Sequence, residues 1–140
     1  MSTLNPSLQL LVSLAKIQAI VTRRFDASLN GLGFSEFMIL FHLSQAEDQK
    51  MRRIDLAEKI GLTASGVTRM LLPMEKIGLV DRGTTDYDAR VRYVILAPGG
   101  REKLTDALER AELLAQDLIP TTKLKKVEQM SQLLKELILS

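Results

Sequence analysis

The sequence predicts a mainly α-helical fold with a small β element, and three observations predict it. Four stretches carry apolar residues at helical spacing, with proline or small polar residues at their starts. The segment LAEKIGLTASGVTRMLLPMEKIGLVDRG, Leu56 to Gly83, reads as two short helices joined at a glycine and followed by the start of a strand. The 140 residues are 46% hydrophobic and 26% charged, which suits one globular domain with a real core.

Asn5-Pro6 pairs an N-cap with proline at the first helical position, and the pattern from Ser7 to Ser28 stays helical until Asn30-Gly31 and Gly33. Its apolar residues occupy two faces, Leu8, Leu11, Val12 and Ala15 on one, Leu10, Leu14, Ile17 and Val21 on the other. A helix apolar on more than one face needs cover on more than one side, from its own domain or from a partner subunit. Ser35 is the expected N-cap of a second helix reaching about Ala46, whose centre FMILFHL is too apolar for a surface helix. Beyond Gly99-Gly100, Leu104, Ala107, Leu108, Ala111, Leu114, Ala115 and Leu118 form a third helical stripe. Pro120 interrupts it, and Leu124, Val127, Met130, Leu134, Leu137 and Ile138 form a fourth; so short a break favours an antiparallel pair.

Composition removes several function classes. The chain has no cysteine, which excludes disulfides, thiol nucleophiles, thiolate metal sites and peroxide-sensing thiols. The one histidine, His42, sits inside the apolar run, whereas a zinc site needs three or four clustered ligands. No glycine-rich phosphate loop follows a strand and no local Ser/His/acid set is present, so the chain reads as a non-enzyme with no cofactor and no metal. Its apolar runs fall far short of the roughly 20 residues that span a bilayer, and no basic stretch precedes an apolar segment at the N-terminus. A cytoplasmic protein that binds no membrane is expected. The formal net charge of +2 is too small to signal nucleic acid by itself, so the placement of the charges must decide.

That placement is informative between Ile54 and Lys76. Leu56, Ala57 and Ile60 fall on the inner side of a first short helix, Gly61 marks the turn, and Leu62 begins the second segment. Val67, Met70, Leu71 and Met74 follow at i, i+3, i+4 and i+7, which leaves Ser65, Thr68, Arg69 and Leu72 on the outer side. Thr63 is placed to cap the second helix through its hydroxyl, and Ala64, Ser65 and Gly66 keep that end slim. Gly66 costs about 1 kcal/mol of helix propensity relative to alanine, which favours close approach to another surface over scaffolding. A slim, polar, basic helix end suits the reading of a DNA groove; a generic corner between two helices has the same spacing.

Ala57, Gly61 and Val67, with Leu56, Ile60, Leu62 and Met70 around them, stand where helix-turn-helix proteins place their alanine, turn glycine and buried aliphatics. The following EKIGLVDRG, Glu75 to Gly83, and DYDARVRYVIL, Asp86 to Leu96, resemble the strand-loop-strand wing of the multiple-antibiotic-resistance regulator (MarR) family, through Asp88-x-Arg90 and the closing Leu96. The resemblance covers nearly the whole chain. It implies a single domain over residues 1–140, with a winged helix-turn-helix at about 35–97 and dimerisation helices at 5–30 and 98–139. It also implies a homodimer that binds a pseudo-palindromic double-stranded DNA operator, represses transcription, and is released by a small aromatic or phenolic acid held between the dimer helices and the winged region. On the matching positions Thr63, Ser65, Thr68 and Arg69 face bases and phosphates in the major groove, and Arg90 occupies the wing.

The chemistry of these residues agrees with that implication. Arg69 can donate in bidentate fashion to guanine, and an arginine suits the negative potential of a narrow minor groove. Asp88 is expected to hold Arg90 in a fixed fork, with Arg92 beside them in the wing. Arg52, Arg53, Arg82 and Arg92 flank the same surface and are expected to bind phosphates, positioning the protein without reading sequence. Two positions depart from the family pattern. The wing strand ends Leu96-Ala97 before Pro98 where Leu-Thr is usual, so the next helix is expected to start on proline without a hydroxyl cap. Pro73 stands where a charged residue is common; it removes the helical donor of the Arg69 carbonyl and is expected to bend the helix behind its base-facing end. A winged helix that binds only protein is the rival function, and salt-dependent DNA affinity separates the two.

Overall fold

Most of the helices begin where the chain offers their first N–H groups a substitute partner or removes one of them. A computed structural model of the chain describes residues 3–83 and 92–139. Helix α1 (Pro6–Ser28) starts with Asn5 Oδ1 accepting from the Leu8 N–H at 2.8 Å and with proline at its first position. Helix α2 (Phe34–Gln45) differs from expectation at its start: the cap position moves from Ser35 to Gly33. Two carboxylates account for this. Glu36 accepts from the Gly33 N–H and Asp26 of α1 accepts from the Phe34 N–H, both at 2.8 Å, so acids take over the task of a hydroxyl cap.

Strand β1 (Lys50–Arg52) leads into helix α3 (Arg53–Ile60), and helix α4 (Ala64–Lys76) follows after the turn. Gly61 ends α3 at φ 72°, a left-handed conformation that a residue with a Cβ adopts only at a cost. Thr63 caps α4 as expected, its Oγ1 accepting from the Gly66 N–H at 3.0 Å. Strands β2 (Val80–Gly83) and β3 (Tyr93–Leu96) then pair antiparallel, with Arg82 opposite Val94. The sheet has the order β1-β3-β2, and Met51 of β1 lies opposite Val94 on the other edge. Asp86 to Val91, expected to form part of the wing, lie outside the described residues.

Helix α5 (Pro98–Leu118) begins on proline with no side-chain cap from Ala97, as the sequence implies. Gly99 and Gly100 lie against the backbone of Gly78 and Leu79, where a Cβ would collide with their carbonyl oxygens. Helix α6 (Leu124–Leu139) closes the chain. It does not form the antiparallel pair with α5 that the short break at Pro120 suggested: α5 and α6 share no extended contact, and no described side chain of α6 is buried. The apolar stripe of α6 is turned outward.

A single cluster of buried residues joins these elements. Phe25 and Leu29 from α1 meet Phe37, Ile39, Leu40 and Leu43 from α2, as the apolar FMILFHL run required, although Phe41 is 37% exposed. Val67, Leu71 and Met74 of α4 are completely buried against this cluster together with Leu56 and Ala57 of α3. Anchors of this kind fix the pose of α4 and leave its opposite side as surface. The helix runs through Pro73 to Lys76 without a break, and Pro73 is exposed between buried Leu71 and Met74.

His42, half-buried near the end of α2, packs edge-on against Phe41 at 5.4 Å between ring centres. Burial, with the Lys59 ammonium nearby, holds its pKa below the ordinary histidine value. A folded-state pKa below the unfolded one contributes stability that is present above the unfolded value and is lost as pH falls through the folded one. The melting temperature is therefore expected to drop between pH 7.5 and pH 5, and to drop less in His42→Gln, as thermal melts of both proteins at the two pH values will show.

Candidate nucleic-acid interface

The outward side of α4 follows from its buried side by helical geometry. With Val67, Leu71 and Met74 inward, Ser65, Arg69, Leu72 and Lys76 share the opposite face, and all four are exposed. Thr63 and Ser65 sit at the exposed N-terminal end, their hydroxyl oxygens 3.3 Å apart. Lys76 belongs to this row and was not singled out from the sequence. The signal was there, since Lys76 follows Arg69 at i+7, but the segment around it reads first as the lead into the strand. Leu72, 43% exposed, is the apolar member of an otherwise polar row.

Thr68 and Glu75 lie beside this row on the side facing α3. Thr68 is half-buried and its Oγ1 accepts from Arg53 Nη1 at 3.4 Å. Glu75 is the single carboxylate of α4, and both its oxygens are engaged: Oε1 by Arg53 Nη2 at 3.3 Å and Oε2 by Arg82 Nε at 3.1 Å. No carboxylate of α4 is thus left to oppose an incoming anion. Among the expected phosphate contacts, Arg53 needs correction. It is 8% exposed, with its guanidinium turned inward between α3 and α4, because Glu75 and Thr68 supply the partners that a buried cation requires. It has no surface to offer a phosphate.

The other arginines lie at the surface. Arg52 is bidentate to Asp55, with Nε and Nη2 donating at 2.8 and 3.1 Å. That hydrogen-bonded pairing pulls the Asp55 carboxyl below its usual range and raises the Arg52 pKa. The pair is solvent-exposed, so it contributes little to stability. The Arg82 side chain is 70% exposed although Glu75 holds one edge of it. Arg92 is exposed at the entry to β3, where its carbonyl accepts from the Arg53 N–H at 2.9 Å. Asp88 and Arg90 lie outside the described residues.

Behind α4, between α1 and the start of α2, runs a cleft of about 550 Å³ lined by Thr22, Asp26, Phe34, Leu62, Arg69, Met70 and Pro73 among others. Arg69 is the one cation among its described lining residues, and the two acids there, Asp26 and Glu36, are hydrogen-bonded to backbone N–H groups. Among the described residues, no three His, Cys, Asp or Glu side chains cluster as metal ligands, and no helix is long and apolar enough to cross a membrane.

Residues 34–91 match the family model of the MarR family. The chain aligns over 111 residues, at 25% identity, with the uncharacterized HTH-type transcriptional regulator YdgJ of Bacillus subtilis (strain 168); the alignment covers 79% of this chain and 66% of that protein, just under two thirds of its length. The crystal structure of the transcriptional regulator BldR from Sulfolobus solfataricus is similar with a TM-score of 0.84 and 26% identity, over 99% of this chain and 98% of that one. A mutant MarR from E. coli, solved in complex with operator DNA, is similar in fold with a TM-score of 0.80 and 22% identity, over 98% of this chain and 99% of that one. The family match covers α2, the helix-turn-helix and the β2 strand, and the likeness in fold to these solved transcriptional regulators runs from end to end.

Proposed function

We propose that this chain is a homodimeric, sequence-specific regulator that binds a pseudo-palindromic double-stranded DNA operator and represses transcription. One observation carries the proposal: a capped, core-anchored helix presents Ser65, Arg69 and Lys76 in one outward row, with its only carboxylate neutralised by two arginines. In this reading Arg69 donates to a base edge, while Thr63, Ser65 and the free N–H groups at the start of α4 meet phosphate oxygens. Thr68 lies at the margin of the same face. Lys76, Arg52, Arg82 and Arg92 position the protein on the backbone, and Asp88 and Arg90 form the wing contact.

The dimer rests on the unburied helices. Leu8, Leu11, Val12 and Ile17 of α1, Leu113 of α5, and Leu124, Met130, Leu133 and Leu137 of α6 are each more than two-fifths exposed. So many exposed aliphatics on three helices mark an association surface, and a second copy of the chain supplies the cover. The cleft behind α4 suits a small aromatic or phenolic acid, with Arg69 as partner for its carboxylate and Phe34, Leu62, Met70 and Pro73 for its ring. An occupant would touch the operator-reading helix directly, which is how its binding would release DNA.

Pro73 fits the same scheme as an aiming residue. The Arg69 carbonyl lacks its helical donor there, and the resulting bend sets the angle between the reading end of α4 and the strand that follows. Pro73→Ala is expected to keep or raise the melting temperature while weakening operator binding; a variant unchanged in both would remove the aiming role. The proposal as a whole is tested by selecting bound duplexes from a random DNA pool and footprinting the winner. Two protected half-sites about one turn apart, roughly 34 Å, are expected, and no enriched sequence would favour the protein-binding alternative.

A further inference from the structure

Arg53 is the only charged residue buried among the described ones, and the chain holds it with care. Its Nη1 donates to Thr68 Oγ1, its Nη2 to Glu75 Oε1, its backbone N–H to the Arg92 carbonyl, and its buried Nε has no hydrogen-bond partner. A buried cation with one N–H unsatisfied is costly, and an apolar side chain of similar length would fill the space more cheaply. Glu75 completes a chain of alternating charge, since its second oxygen takes Arg82 Nε from β2. Four elements are therefore linked through Arg53: α3 that carries it, α4 through Thr68 and Glu75 at its guanidinium, β2 through Arg82 on the far oxygen of Glu75, and the entry to β3 through the Arg92 carbonyl on its backbone N–H.

We infer that Arg53 is a positioning residue for DNA recognition, which fixes the Thr68 hydroxyl as a donor toward DNA and holds Glu75 so that Arg82 is presented from the wing side. The inference rests on the DNA-binding reading above. A guanidinium has donors only, so the Thr68 oxygen must accept from it, and the hydroxyl proton is left to point elsewhere. Thr68 makes no hydrogen bond back to the α4 backbone among the described residues, and it borders the outward row. Its proton is thereby offered to acceptors such as a phosphate oxygen, guanine N7 or O6, adenine N7 or thymine O4, and not to amino groups. Without Arg53 the hydroxyl rotates freely, and Glu75 has Arg82 alone to neutralise it beside an anionic backbone.

Positioning and phosphate contact differ in how binding responds to salt. A residue that neutralises a phosphate contributes to the slope of log affinity against log salt; a buried residue acting through others does not. On an operator selected with the wild-type protein, Arg53→Met is expected to bind about tenfold weaker or worse with the wild-type slope. Lys76→Ala, the surface comparison, is expected to lower the slope by about one per copy. Thr68→Val is expected to weaken the wild-type protein and to add little to Arg53→Met, because the two act in series. If Arg53→Met fails to fold, Arg53→Lys replaces it: the shorter ammonium keeps the charge, loses the fork, and should weaken binding with the slope unchanged. A folded Arg53 variant with wild-type affinity, or with a slope reduced like that of Lys76→Ala, would overturn the inference alone. A wild-type protein that selects no duplex would overturn the DNA-binding reading and this inference with it.

Discussion

Aspartate at both Leu133 and Leu137 is expected to give a protein that sediments as a monomer and has lost tight operator binding. The two leucines are 51% and 66% exposed on α6, a helix of 16 residues none of whose described side chains is buried. An isolated helix of that length is marginal in water, and in the proposed dimer the second copy would supply the cover that α6 lacks in its own subunit. Fully covering an exposed leucine is worth about 1.5–3 kcal/mol; only the exposed half to two thirds of each remains to be covered and the two positions occur in both copies, so the change removes roughly 3–7 kcal/mol from association before charge repulsion is counted. The buried cluster that anchors α4 contains no described residue of α6, so each winged region is expected to stay folded. What disappears is the linkage between two half-site contacts, on the order of 10²–10⁴ in affinity. Sedimentation and operator titration of one preparation check this, and a monomer with undiminished affinity would refute the dimeric account.

Arg69→Ala is the second large effect. Arg69 is exposed in the middle of the outward row, so its removal leaves the core and the melting temperature nearly unchanged. One good bidentate contact to a base carries about 1–3 kcal/mol of discrimination, and the dimer makes the contact twice, so affinity should fall on the order of 30-fold or more. The loss should be confined to two symmetry-related base pairs. Titrations on operators altered one pair at a time will show those two pairs becoming indifferent in the variant while the others keep their penalties. A loss spread evenly over all sequences would make Arg69 a phosphate contact. Since Arg69 also lines the cleft behind α4, the same variant should bind aromatic acids more weakly.

What could be read from the sequence was whatever depends on neighbours along the chain. Asn5, Thr63 and Gly61 act where local rules put them, and the burial of Val67, Leu71 and Met74 follows from spacing alone. Ser35 failed as a cap because the Asp26 carboxylate, a turn and a bend away, reaches the Phe34 N–H. Strand β1 escaped notice because Lys50–Arg52 is three residues with no alternation, stabilised by pairing with Tyr93 to Ile95 much later in the chain. Arg53 was misjudged for the same kind of reason. Arg52-Arg53 reads as a solvated basic pair, and only the approach of Glu75 across the α3–α4 corner decides that one of the two turns inward. Helix α6 looked like a partner for α5 because a periodicity argument finds an apolar stripe without saying which molecule covers it.

The most direct test of the DNA-binding account measures the dissociation constant for the selected operator and for a scrambled duplex of equal length between 50 and 300 mM salt. The account predicts that both affinities fall steeply and linearly on logarithmic axes, and that the operator is held at least roughly 10³-fold tighter than the scrambled duplex. Equal affinity for the two duplexes, or binding that salt does not weaken, would contradict it.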